Sequence, residues 1–358
     1  MDLIFKKICL ISFIVFMNTL PSLKSASAVN QKISKPFKIF MVLWSGEDQL
    51  TKGFKDYLKR ENIPTEYIIR NCAQDRNKCR EFLKEIKKEK PDLIFTWGTA
   101  ICEEIAGKID APNKSDYIWD IPIVSLIVTD PIAAKLIYSL EKPGRNVTGV
   151  NHVAPVTSHL ETMKTYKKDL KKIAALYNPA ETNAVVMVKQ IIEQSSKYRV
   201  EVKAYPIRLD ENKKPIVASI SENIEKIAQD GAEFIYMPAE TFLSLNMPTV
   251  SAEAVKYKIP TFGSTESMFF NGHPLIGLVS RFYNVGLFGG LKAKQILMEK
   301  KNPQEIAYEK LKTFSVLIAP DIFRSIKNYP PLEMFGYGEF IAEADNENDN
   351  KKPVKVRG

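Results

Sequence analysis

Histidine is scarce: His152, His159 and His273 are all that 358 residues contain. His152 and His159 are seven positions apart with Pro155 between them, so they do not make the i, i+4 pair that sets two metal ligands on one helix face. No G-x-S-x-G elbow, Walker phosphate loop or G-x-G-x-x-G fingerprint occurs, and after the first expected strand the chain reads LWSGED. Asp130 and Glu181 could imitate a carboxylate pair, yet nothing in their spacing selects an acid and a base. A cleft enzyme is therefore the weakest reading, and neither cofactor nor metal is expected. A basic stripe interleaved with aromatics is also missing. The net charge of +9 comes from lysines such as Lys84, Lys87, Lys88 and Lys90 spread over helical surfaces, which gives no reason to expect nucleic acid.

Cysteine is sparse as well, at four residues. Cys102 lies in an apolar helical pattern with no histidine nearby in sequence and reads as a small buried hydrophobe. Cys72 and Cys79 flank six residues in a strand-to-helix connection. Export into an oxidising compartment would allow them a local disulfide, with two free thiols as the alternative. Export itself is signalled by residues 1–28. Lys6 and Lys7 precede the apolar run 8–20, and Ala26-Ser27-Ala28 has the small-x-small form of a cleavage site. The run is shorter than the roughly 20 residues a membrane span needs, which disfavours an uncleaved anchor. Cys9 lies inside it and is poorly placed for lipidation. Cleavage after Ala28 removes Lys6, Lys7 and Lys24 with Asp2, lowering the net charge from +9 to +7. A periplasmic location follows as the expectation.

What is present is a recurring strand–helix unit, clearest in residues 121–150, IPIVSLIVTDPIAAKLIYSLEKPGRNVTGV. An apolar, mostly β-branched run over 121–128 suits a strand covered on both faces. Asp130 can cap and Pro131 can open a helix over 132–140. Four strands alternate with helices before residue 128, and after a linker at 151–155 a second series of similar size begins. The fold class expected is α/β, with two Rossmann-like parallel-sheet lobes in sequence. The late strands and helix over 275–326 could return to the first lobe through further crossovers. Residues 342–358, AEADNENDNKKPVKVRG, have no apolar period and are expected to be a disordered tail.

Several phrases resemble one family. Thr129-Asp130-Pro131, LEKPGRNVTGV over 140–150, LYNPAE over 176–181 with Asn183 close behind, and GSTESMFFNGHPLIGLVSRFYNVG over 263–286 are similar to substrate-binding proteins of ABC transporters, of the tryptophan-binding-like type. The resemblance spans roughly residues 37–329. It implies the periplasmic-binding-protein type I fold, two lobes on a multi-crossover hinge, with 36–151 and 278–330 as the N-terminal lobe and 152–277 as the C-terminal lobe. It also implies a non-enzymatic receptor, monomeric, closing on an amino-acid-like or other acidic or aromatic small molecule and delivering it to a membrane permease. A receptor that signals to a membrane sensor would share the fold. Carried over, the pocket falls on Trp44, Ser45, Trp97, Gly98, Thr99, Thr129, Asp130, Asn178, Glu181, 239–241 including Glu240 and Thr241, and 264–266 including Ser264 and Thr265.

The residues support these positions only in part. Gly98-Thr99 and Gly263-Ser264-Thr265 each follow a strand and could hold a carboxylate at a helix N-terminus, although Thr99 and Ser264 could equally be ordinary caps. Trp44 and Trp97 could stack a flat ligand, or one could pack in a core. Glu181 and Glu240 suit a helix dipole on structural grounds, or could accept an ammonium. Phe282 and Tyr283 read as half core and half cleft wall. One departure from the family is Arg281, where many relatives carry an aspartate that meets the ligand's amino group. Arginine cannot accept a hydrogen bond, but it can pair with a carboxylate or phosphate, so an anionic ligand gains weight unless Arg281 points to solvent.

Overall fold

The first strand, β1 (Phe37–Leu43), shows how the sequence builds its layers. Residues 39–43 are all fully buried, as a strand between two helical layers must be. Ile39, Met41 and Leu43 join one apolar cluster, and Phe40 and Val42 join another on the opposite face. The computed structural model describes residues 35–270 and 272–341. The expected signal peptide and tail lie outside the described residues. Among the described residues, no helix is long and apolar enough to cross a membrane.

In chain order, α1 (Gln49–Arg60), β2 (Thr65–Asn71), α2 (Arg76–Glu89), β3 (Leu93–Trp97), α3 (Thr99–Ala106), β4 (Ile123–Leu126) and β5 (Val147–Asn151) complete the first α/β series. The second comprises α4 (Val156–Tyr166), β6 (Lys172–Tyr177), α5 (Thr182–Ser195), β7 (Glu201–Pro206), α6 (Ala218–Gln229), β8 (Phe234–Met237), α7 (Thr241–Leu245), α8 (Met247–Lys256), β9 (Thr261–Gly263) and β10 (Ile276–Val279). Then come α9 (Phe282–Leu297), β11 (Glu309–Lys310), β12 (Ser315–Ile318), α10 (Pro320–Ile326) and β13 (Glu339–Phe340). The strands form a six-stranded sheet, β11-β5-β4-β3-β1-β2, and a seven-stranded sheet, β13-β12-β10-β9-β8-β6-β7. Pairing is parallel throughout except between β10 and β12. These are the two α/β lobes of the periplasmic-binding-protein type I fold.

The chain crosses between the sheets after β5, after β10 and after β11. The last stretch is therefore divided where the sequence placed 278–330 wholly in the first lobe. α9 packs on α1 and β11 pairs with β5, whereas β12 and β13 extend the second sheet. β11 is only two residues long, and β12, although its apolar run reads as a strand, carries nothing that says which sheet it joins. The helix expected over 132–140 is another difference. Asp130 Oδ1 does accept from the N–H groups of Ile132 and Ala133, at 3.1 and 2.9 Å, but Lys135 turns left-handed at φ 55° and stops the turn.

The crossover after β10 depends on close helix packing. A Cβ at Gly53 of α1 would lie 2.1 Å from the Tyr283 carbonyl oxygen, and one at Gly286 of α9 would lie 2.1 Å from that of Leu50. Only glycine lets these two backbones touch. Lys292 of α9, 1% exposed, adds an ion pair of 2.9 Å to Glu309 of β11. Cys72 and Cys79 form a disulfide, with Cα atoms 5.4 Å apart, and Cys102 is a buried free thiol.

Two predictions follow from this packing. Gly53→Ala should lower the free energy of unfolding by about 3 kcal/mol in urea titrations, because the clash is with backbone rather than with a movable side chain. His159 is fully buried beside Tyr236 and Phe262, and burial lowers its pKa from 6.5 to about 3. Between those values the unfolded chain binds a proton that the folded chain refuses, so this contribution is complete above pH 6.5 and is lost as pH falls towards 3. From pH 7 to pH 5, His159→Phe should lose about 2 kcal/mol less stability than the parent protein.

Candidate functional site

Open parallel sheets take ligands beyond the carboxyl ends of their strands, where connections on the two sides depart in opposite directions. In the first sheet that point lies between β1 and β3, and in the second between β6 and β8. Trp44, Ser45, Trp97, Gly98 and Thr99 follow the first pair. Asn178, Glu181, Glu240 and Thr241 follow the second.

Rings from both lobes meet at Phe282, the fully buried first residue of α9. Trp97, at the end of β3, meets the Phe282 ring edge-on at a centroid distance of 6.1 Å. Phe270, beyond β9 of the other sheet and half exposed, meets it at 5.7 Å. His152, in the first crossover, approaches at 6.3 Å. Burial lowers the His152 pKa to about 4, so its ring is neutral and belongs to the apolar floor. Both lobes thus contribute aromatic rings to one cluster around Phe282.

On the first-lobe side, Trp97 is held in place. Its indole Nε1 donates to Asp48 Oδ2 at 2.8 Å, while Oδ1 of the same carboxylate accepts from the Thr51 N–H and caps α1. Burial raises the Asp48 pKa, and those hydrogen bonds pull it partly back. Trp44 packs against the cluster containing Cys72 and Cys79, and its indole Nε1 is buried without a hydrogen-bond partner. Ser45 is exposed. Gly98, at φ 88°, precedes α3 and offers no side-chain cap, so the first N–H groups of that helix are left without one. Thr129 is buried, its carbonyl accepting from Asn151 Nδ2 at 2.9 Å.

On the second-lobe side, the acids gather at α7. Glu181 accepts from the N–H groups of Thr241 and Phe242, and Glu240 accepts from those of Phe242 and Leu243. Asn178 Nδ2 donates to Glu181 at 3.2 Å. Burial, then the neighbouring Glu181 charge, raises the Glu240 pKa well above the carboxylate range. Ser264 and Thr265 are buried, and Ser264 Oγ donates to the Met237 carbonyl at 2.7 Å. That hydroxyl ties β9 to β8 instead of capping a helix.

Arg281 stands in neither of the positions left open by the sequence. Its Nε lies 2.6 Å from Glu266 Oε1 and its Nη1 2.6 Å from Glu339 Oε2. Glu266, 6% exposed, also accepts from the Phe282 N–H. One cation facing two carboxylates leaves no excess positive charge. Asp48, Phe270 and Glu339 were not among the residues singled out by sequence. Asp48 reads only as a helix start, Phe270 is one of two adjacent phenylalanines in the 263–286 phrase, and Glu339 lies beyond the stretch that carries the resemblance.

The family model described as ABC transporter substrate binding protein matches residues 39–327. A tyrosine-binding protein of Clostridioides difficile strain R20291 is 27% identical over 285 residues, covering 78% of this chain and 76% of that protein. An ABC domain from Streptococcus pneumonia solved in complex with L-Trp superposes with a TM-score of 0.70 at 22% identity, over 85% of this chain and 100% of that one. A ligand-free, open substrate-binding protein with adhesive properties from Clostridium difficile gives 0.67 at 23% identity, over 85% and 99%. With its two lobes and a family match over most of its length, the chain belongs to the ABC transporter substrate-binding proteins.

Proposed function

We propose that this protein is the monomeric, periplasmic receptor of an ABC importer for a zwitterionic aromatic amino acid, exported by cleavage after Ala28. The observation that carries the ligand class is the allocation of charge at the hinge. Arg281 is matched by Glu266 and Glu339, so it has no surplus charge to offer a dicarboxylate or phosphate. Glu181, whose carboxylate also accepts from the Thr241 and Phe242 N–H groups, then stands to meet an ammonium, and the uncapped N-terminus of α3 meets a carboxylate. Trp97, Phe270 and Phe282 supply a wall for a flat side chain. The C. difficile relative named for tyrosine and the S. pneumonia structure with L-Trp fit the same class. Closure of the lobes over this ligand creates the surface a permease distinguishes from the open form.

Isothermal titration decides the ligand class. L-tyrosine or L-tryptophan should bind one to one, with L-glutamate and phosphate giving no heat, and Trp97→Ala should weaken binding about tenfold. Binding of the anions alone would overturn the reading. Arg281→Met separates the roles of that residue. It should lower folding stability by about 2 kcal/mol by leaving Glu266 buried and unpaired, and adding Glu266→Gln should recover part of the loss. A large loss of anion affinity at unchanged stability would return Arg281 to the ligand.

A further inference from the structure

The Cys72–Cys79 cross-link sits one loop away from Trp44 and packs in the same apolar cluster. Gln74 N–H donates to the Trp44 carbonyl at 2.8 Å, and Cys72 N–H donates to the Leu43 carbonyl at 2.8 Å. The backbone that carries Trp44 out of β1 is therefore held by the loop that the disulfide closes. The Trp44 ring packs against the apolar cluster that includes both cysteines.

That loop has an unfavourable local conformation. Ala73 and Gln74 are consecutive non-glycine residues at φ 49° and 65°, a left-handed region that L side chains enter only at a cost. Asn71 Oδ1 accepts from the Ala73 N–H at 2.8 Å, and Asp75 Oδ1 caps α2 through the Asn77 N–H at 2.9 Å. These bonds fix the two ends of the turn. The covalent tie joins them, because Cys72 directly follows β2 and Cys79 lies within the first turns of α2. Both cysteines are fully buried.

We infer that the Cys72–Cys79 disulfide is a positioning element for the ligand site, holding the 72–75 turn in its left-handed form so that Gln74 fixes Trp44 at the mouth of the first sheet. The role of Trp44 in the site rests on the receptor reading, together with the pocket position that the family resemblance gives it; its placement by the disulfide does not. Without the cross-link, Ala73 and Gln74 relax towards right-handed or extended backbone, and the Gln74–Trp44 hydrogen bond is lost. Trp44 then becomes mobile, and the receptor must order it at each binding event.

The test uses the full mature chain in two arms. In a Trp97→Phe/Trp119→Phe background Trp44 is the sole tryptophan, and adding Cys72→Ala/Cys79→Ala should at least double the iodide quenching constant of its fluorescence. An unchanged constant would overturn the positioning role whether or not any ligand is bound. In the second arm, calorimetric titration with L-tyrosine and L-tryptophan on the otherwise native chain should show an affinity about tenfold lower in the Cys72→Ala/Cys79→Ala variant. Trp44→Ala should cause a similar loss, and combining the changes should add little. Gln74→Pro, which keeps the disulfide but removes the N–H and forbids the left-handed φ, should reproduce the effect if the double-alanine variant fails to fold. A lower denaturation midpoint with unchanged quenching and affinity would make the cross-link a matter of stability alone. Heat from neither amino acid would count against the ligand reading, while the quenching arm still decides the placement of Trp44.

Discussion

The carboxylate of Glu266 holds together the point on which both lobes turn. It accepts from the Phe282 N–H and pairs with Arg281, so one buried acid fixes the last residue of a crossover and the first residue of the helix that follows. Burial raises its pKa, and the arginine and the amide pull it partly back. A lone carboxylate at 6% exposure would be costly, and a lone arginine beside it would leave its own charge unmet. Each solves the other's problem. Phe282 is thereby placed where Trp97 from one sheet and Phe270 from the other can both reach it.

The lobes around this point have little freedom of their own. β1 is buried on both faces, β6 alternates Ile173 and Ala175 with Ala174 and Leu176 between two apolar clusters, and α1 and α9 touch through glycines. Close-packed layers of this kind resist internal deformation, so each holds together as a body. The connections near 152–155, 280–281 and 312–314 lie between the sheets rather than within them, and two of them are tied to each other by Ser280 Oγ donating to the His152 carbonyl.

The α/β repetition was legible because parallel strands announce themselves as apolar runs, and residues 37–43 and 121–128 are of that kind. The position of Trp97 and Glu240 at strand ends was legible for the same reason. Three features were not. The division of the last segment turned on the two-residue β11 and the antiparallel β12, too short or too ambiguous for periodicity to place. The function of Ser264 was hidden because a serine after a strand reads the same whether it caps a helix or donates to a neighbouring strand's carbonyl, as it does to Met237. The partner of Trp97 was hidden because Asp48 lies 49 positions away and carries no mark beyond its place before α1.

Arg281 shows the same limit in charge instead of shape. Read alone, an arginine in place of an aspartate reverses the expected ligand, from one with an ammonium to one with an acid. Its meaning changes once Glu266 and Glu339 are placed beside it, 15 and 58 positions away in sequence. Three side chains bearing one positive and two negative charges sum to the single negative charge that an aspartate would have carried. The substitution therefore need not invert the electrostatics of the hinge. It moves the negative charge onto two neighbouring acids and makes the arginine part of the joint. A residue change at a binding position alters specificity only when the surrounding charges do not change with it.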